Sequence, residues 1–167
     1  MKNILGIAVV MLVLSQVSFS QSSASMTANA TATIVTGLSC SHGTNSDLAF
    51  GKIIASGSSG TVVVSPASAR SYTGGAILTT GLTSSAAEFV LSGQASTAVT
   101  VTLPSSAVTI TSGSNTMSVT TFTSDAGSTP ALSSGGALTV KVGGTLAVAA
   151  NQAAGSYTGT FDVTFAY

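Results

Sequence analysis

Charge is the scarcest property of this chain: 167 residues hold four Lys or Arg and four Asp or Glu, with no net charge. Beyond the first twenty residues the cations are Lys52, Arg70 and Lys141, and no two lie within ten positions of each other. Affinity for a phosphate backbone comes from clustered Lys and Arg, so nucleic acid is excluded as a partner, and an anionic membrane surface with it. His42 is the only histidine. No metal cage or acid–base pair that needs two imidazoles can form within one subunit. Cys40 is the only cysteine, which rules out an internal disulfide, and it reads as an ordinary buried thiol. Cys40 and His42, with Asp47 as the nearest third ligand, fall short of a recognisable zinc spacing. The four carboxylates, Asp47, Glu88, Asp125 and Asp162, are far apart in sequence and read as solvated strand edges or turns rather than a glycosidase pair. Glycines are plentiful, yet none stands in a GxxxxGK or GxGxxG pattern. Tryptophan is absent, which removes a common sugar-stacking platform. No catalytic centre, no cofactor and no metal are expected.

What is present begins with Lys2, an apolar run from Ile4 to Leu14 and a polar Ser15–Ser20 stretch. This pattern predicts a signal peptide over 1–20, cut before Gln21 or, as second choice, after Ser25. The eleven-residue run is shorter than the ~20 residues a bilayer-spanning helix needs, and no later segment comes closer, so no membrane insertion of the mature chain is expected. Leu38-Ser39-Cys40 looks like the end of a lipid-attachment box, but more than twenty residues separate it from the apolar run, so no lipid anchor is expected. The chain is expected to be exported, to the periplasm, the cell surface or the medium.

The remaining sequence is neutral, Ser- and Thr-rich, and patterned in short alternations separated by turn residues. At 44% hydrophobic, the chain is too apolar for disorder. Strands are expected at Met26–Val35, Leu48–Ile54, Thr61–Ser65, Ala76–Thr80, Ala87–Leu91, Val99–Leu103, Val108–Thr111, Met117–Thr123, Leu138–Val142, Thr145–Val148 and Tyr157–Tyr167. Turns are expected at Gly57–Gly60, Gly74-Gly75, Ser112–Ser114, Gly127–Pro130, Ser133–Gly136 and Gly143-Gly144. The fold class is all-β, an antiparallel β-sandwich over 36–167. A surface with so little charge does little to protect edge strands from pairing with another chain.

The last eleven residues carry the sharpest pattern: Tyr157, Phe161, Val163, Phe165 and Tyr167 share one face, and Thr158, Thr160, Asp162 and Thr164 the other. A second alternation puts Met26, Ala28, Ala30, Ala32 and Ile34 on one face of residues 21–35. That segment is either the first strand of its own sandwich or a strand donated to a neighbour. Met26, Ile34, Tyr157, Phe161, Val163, Phe165 and Tyr167 are the candidate partner-binding residues.

The segments DLAFGKI, AEFVLSGQ, VTVTLPSS and above all VGGTLAVAANQAAGSYTGTFDVTFAY (Val142 to Tyr167) resemble the bacterial domain of unknown function 4402 family over nearly the whole mature chain. The ending GxYxGxFxVxxxY is also similar to the last strand of archaic chaperone-usher pilins and spore-coat-U-like subunits. That second resemblance implies an incomplete immunoglobulin-like sandwich whose terminal strand is held by a periplasmic chaperone, and whose missing strand comes from an identical subunit's N-terminal extension. Two features depart from it: the donor face is mostly alanine, and the disulfide common in such pilins cannot form with Cys40 alone. The expected function is an exported structural or adhesive subunit of a fimbria-like surface assembly, formed by edge-strand pairing. The alternative is a self-complete secreted sandwich that binds glycan or protein through its loops.

Overall fold

The computed structural model describes residues 22–167, and the expected signal peptide lies outside the described residues. The chain divides into two units, Met1–Thr33 and Ile34–Tyr167. Residues 22–33 are exposed throughout and form no strand, so the expected strand Met26–Val35 is not formed. Alternation supplies a face, but a strand also needs a neighbour to take its backbone hydrogen bonds.

Nine strands make up Ile34–Tyr167: β1 (Ser39–His42), β2 (Ile53–Val64), β3 (Arg70–Leu78), β4 (Ala87–Ser92), β5 (Thr100–Thr102), β6 (Val108–Ser112), β7 (Asn115–Ser124), β8 (Ala137–Val148) and β9 (Thr164–Ala166). All pairings are antiparallel. One seven-stranded sheet follows the order β1-β4-β8-β2-β3, with β7 also on β8 and β6 on β7, while β5 and β9 pair separately. The expected all-β sandwich is the architecture found.

β8 organises it. Its first half pairs with β4 (Ala137↔Ser92 to Val142↔Ala87), its second half with β2 (Gly144↔Val64 to Val148↔Gly60), and residues 142–147 also take β7. The expected turn at Gly143-Gly144 is therefore wrong, and the two short strands flanking it are one long strand. Both glycines are buried, next to buried Val142, and neither has a positive φ. Three successive buried residues in a strand mean that both faces are covered. A side chain at Gly143 would run into the backbone of Val64, Ser65 and Pro66. Gly143 serves the close approach of two backbones and Gly144 makes room for the side chains of Leu48, Val119 and Phe122, and neither reverses the chain.

The same correction applies to Gly57–Gly60, which lies within β2 where residues 56–59 bulge out opposite Gly75, and to Gly74-Gly75 within β3. The expected strand Leu48–Ile54 is mostly loop, with one bridge from Ala49 to Ser85 before β2 begins. The turn after β6 is as expected: Gly113, with φ of 60°, and Ser114 close a two-residue hairpin onto β7.

The core is aliphatic. Leu91, Val62, Val64, Val140 and Val142 are its largest fully buried side chains, each stabilising by about 1.5–3 kcal/mol relative to exposure. Arg70 staples its edge: the guanidinium donates to the carbonyls of Phe50 (2.9 Å) and Thr79 (3.0 Å). Two carboxylate expectations resolve differently. Asp162 is exposed, as expected, whereas Glu88, next to the start of β4, is largely shielded, its side chain 15% exposed and 3.7 Å from Lys141 on the paired position of β8.

Cys40 is exposed, which overturns the buried-thiol expectation. β1 has a partner, β4, on one side alone, and all four of its residues are exposed. Packing around the sulfur still pushes the thiol pKa above its ordinary value by desolvation.

Candidate functional site

The core is incompletely covered along one line. Two adjoining cavities, of about 770 and 570 Å³, run beside the segment Leu48–Ala55 on one side and the stretch from Gln152 to Asp162 on the other. Leu48, Phe50, Ile110 and Tyr157 line both cavities, so the two adjoin at these four residues. The floor is core: Val108, Ile110, Val119 and Phe122 under the smaller cavity, Met117, Leu146 and Val148 under the larger. Together they form a groove with an apolar floor and a mixed polar rim. Its charged residues, Asp47, Lys52 and Asp162, are exposed, as is His42.

Local sequence explains the terminal wall. The β8 chain leaves the sheet at Val148, and the following loop is tied down by Asn151, whose N–H donates to the Ser56 carbonyl (2.7 Å). Gln152 donates from Nε2 to the Thr116 carbonyl (3.2 Å) and to the Tyr157 hydroxyl (2.8 Å), which in turn donates to the Ala153 carbonyl (2.7 Å). Asn-Gln, then Gly, Tyr and Gly, are thus the parts of one anchored loop. Gly155 rests against Ser112, and a Cβ at Gly159 would stand 2.8 Å from the Thr109 carbonyl and from Ile110 Cγ2, so the chain crosses β6 where only glycine fits.

Beyond Tyr157 the expected unbroken strand is not found. Thr158 bridges to Thr111, and β9 pairs with β5, but among the described residues no backbone–backbone hydrogen bond reaches Gly159 to Asp162. The alternation of faces nevertheless holds: Tyr157, Phe161, Val163 and Phe165 are half-buried against the core, while Thr158, Thr160, Asp162 and Thr164 are exposed. Phe161 packs on Phe122 with ring centroids 5.0 Å apart, and Phe165 on Phe89 at 5.6 Å. The segment is therefore held by its side chains while part of its backbone stays unpaired.

The candidate partner-binding residues separate into three groups. Tyr157 and Phe161 line the groove. Val163 and Phe165 pack inward, and Tyr167, 47% exposed, accepts at its hydroxyl from the Gln94 N–H (2.6 Å) and donates to the Thr36 carbonyl (2.9 Å). Met26 and Ile34 are 98% and 96% exposed. Sequence reasoning missed the opposite wall, Leu48 and Phe50, and the floor residue Ile110. The LAFG motif carried the signal, since Leu48 and Phe50 alternate around Ala49, but reading it as a paired strand hid its role as a rim.

The groove holds little chemistry. Among the described residues no group of three or more His, Cys, Asp or Glu is placed to hold a metal. No described helix is long and apolar enough to cross a membrane. A protein-family model described as domain of unknown function (DUF4402) matches residues 38–167. No curated protein and no solved structure matches the chain.

Proposed function

For a chain that belongs to the domain of unknown function 4402 family, we propose the role of an exported structural subunit that assembles through its strand edges into a surface polymer. One observation carries the reading. The half-covered core lies open along the groove, beside backbone at Gly159–Asp162 that has no backbone hydrogen-bonding partner among the described residues. Apolar floor and unpaired strand edge together are what an added strand satisfies, the backbone giving affinity and alternate side chains giving register. The terminal segment Tyr157–Tyr167 itself carries one charged side chain, Asp162, so little on it opposes such pairing. Adhesion would then be a property of the assembled surface, and a periplasmic chaperone would cover the groove before assembly. Export rests on Lys2 and the Ile4–Leu14 run.

The test is direct. Full-length protein produced with its own N-terminus should be recovered outside the cytoplasm beginning at Gln21, and light scattering should show mass rising with concentration. A protein that stays monomeric at every concentration and binds a glycan array would instead support the self-complete sandwich acting through its loops.

A further inference from the structure

We infer that the larger cavity, of about 770 Å³, binds a single-chain amphiphile with one anionic head, a fatty-acid carboxylate, its chain on the floor of Met117, Leu146 and Val148 and its head at Lys52. This goes beyond the assembly reading and does not need it, because the unpaired backbone at Gly159–Asp162 lines the smaller cavity and not this one.

What the cavity offers follows from what its polar groups already do. The carbonyls of Phe50 and Lys52 accept from the Arg70 guanidinium (2.9 and 3.4 Å). Gln152 Nε2 donates to the Thr116 carbonyl and the Tyr157 hydroxyl, and that hydroxyl donates to the Ala153 carbonyl. No buried side-chain nitrogen or oxygen among the described residues lacks a hydrogen-bond partner. A hydroxyl-rich ligand would find few groups here to replace its bonds to water, whereas a hydrocarbon chain needs none. The volume lies inside the range of about 300–1,000 Å³ typical of small-molecule pockets. The rim is apolar as well: Ile54 and Leu82, which line the cavity, are 52% and 64% exposed, and a bound chain would take that surface out of water.

Charge selects the head group. Lys52 is the one charged residue lining this cavity, and no carboxylate lines it. Of the three cations among the described residues, Lys141 lies 3.7 Å from Glu88 and Arg70 is spent on carbonyls, while Lys52 forms no ion pair. The carboxylates of the groove, Asp47 and Asp162, line the smaller cavity. An anionic head at Lys52 therefore meets attraction at its own end and has the repelling groups at the other, and a cationic amphiphile would meet the reverse. The wall that carries Lys52 is shaped in advance: Gly51 has a φ of 71°, and the Arg70 guanidinium fills the space its missing side chain would need.

Isothermal titration of the purified protein with saturated fatty acids of increasing length, each kept below the concentration at which it forms micelles, tests this. Affinity should rise about two- to fourfold with each added methylene and level off once the cavity is full. The alcohol of the same length should bind about two- to fivefold more weakly, and Lys52→Gln should bring the carboxylate down to the alcohol while leaving the alcohol unchanged. Leu82→Asp, at the rim, should weaken both ligands, and Lys141→Gln neither. Lys52 and Leu82 are exposed, so folding is not at stake. Equal binding of carboxylate and alcohol overturns Lys52 as the partner of the head group. Binding untouched by Leu82→Asp overturns this cavity as the site. No binding at any chain length, or binding to anionic phospholipid vesicles without binding to a free fatty acid, overturns the ligand class. Light scattering on the same samples follows assembly separately, so a failure of ligand binding and a failure of assembly are read as different results.

Discussion

Replacing Gly143 by alanine separates the two roles a glycine pair can have. In a tight turn over open space, an added methyl at a residue with ordinary φ stabilises by about 0.4–1 kcal/mol, because it restricts the unfolded chain. Gly143 has no positive φ, so that gain is available to it in principle. Its position within β8 reverses the sign. The new Cβ would meet the Val64 carbonyl oxygen, and would lie 2.7 Å from Ser65 C and 2.9 Å from Pro66 N. All three are backbone atoms at the end of β2, and none can rotate away. Overpacking of this kind costs about 1–3 kcal/mol. We take about 2 kcal/mol, which lowers the melting temperature by roughly 4–8 °C for a domain of this size. Gly144→Ala is the graded companion: its Cβ would lie 3.2 Å from Leu48 Cδ2 and from Val119 Cγ1, side-chain atoms that can yield, so its cost should be under about 1 kcal/mol. Gly57→Ala, with nothing within 4 Å and no positive φ, is the control and should stabilise by a few tenths of a kcal/mol. Urea unfolding followed by circular dichroism gives all three midpoints. A Gly143→Ala midpoint equal to or above the parent's would refute the account of β8 as one continuous strand.

Tyr167→Phe removes two hydrogen bonds, to Gln94 N–H and to the Thr36 carbonyl, at a partly exposed site. About 1 kcal/mol of stability should be lost, with faster hydrogen exchange at the Gln94 amide; unchanged exchange there would contradict the contact. Arg70→Lys keeps the charge but cannot span the carbonyls of Phe50 and Thr79 together, so about 1.5–3 kcal/mol should be lost. A lysine variant with parental stability would show that the staple is idle. The Cys40 thiol has its pKa raised by desolvation, so at a given pH less of it is thiolate than in a free cysteine. Its alkylation by iodoacetamide should therefore reach its plateau at a higher pH than that of a cysteine peptide. For stability the sign is that of a raised folded-state pKa: the contribution is present below the unfolded thiol's pKa and fades as pH climbs through the folded one.

Much of the sandwich was legible because its signal is local. Val108–Ser112 and Asn115–Ser124 are alternations joined by a turn, and a strand's two-residue period is written in its own side chains, while Ala87–Ser92 shows as a short apolar run. Gly143 was misread because a glycine in sequence is silent on whether it serves a reversal or a close approach. That choice belongs to Val64 and Pro66, about eighty positions away. The groove was half legible. Tyr157 and Phe161 announced an inward face, yet Leu48, Phe50 and Ile110 became its other boundaries only when three separate stretches met over one floor.

The sequence by itself determined an all-β chain of no net charge and few ionisable side chains, with a strand-like alternation in its last eleven residues. It also determined that Tyr157, Phe161, Val163 and Phe165 face inward, since steric alternation along a strand needs no partner to be read, though Tyr167 of the same face stays half exposed. Tertiary structure alone decided which backbones found partners. It put β8 at the centre, left Cys40 on an exposed edge, and left Gly159–Asp162 unpaired beside an open floor. The physical reason is that strand hydrogen bonds are made between residues distant in sequence, so pairing, and the lack of it, is a property of the assembled sheet.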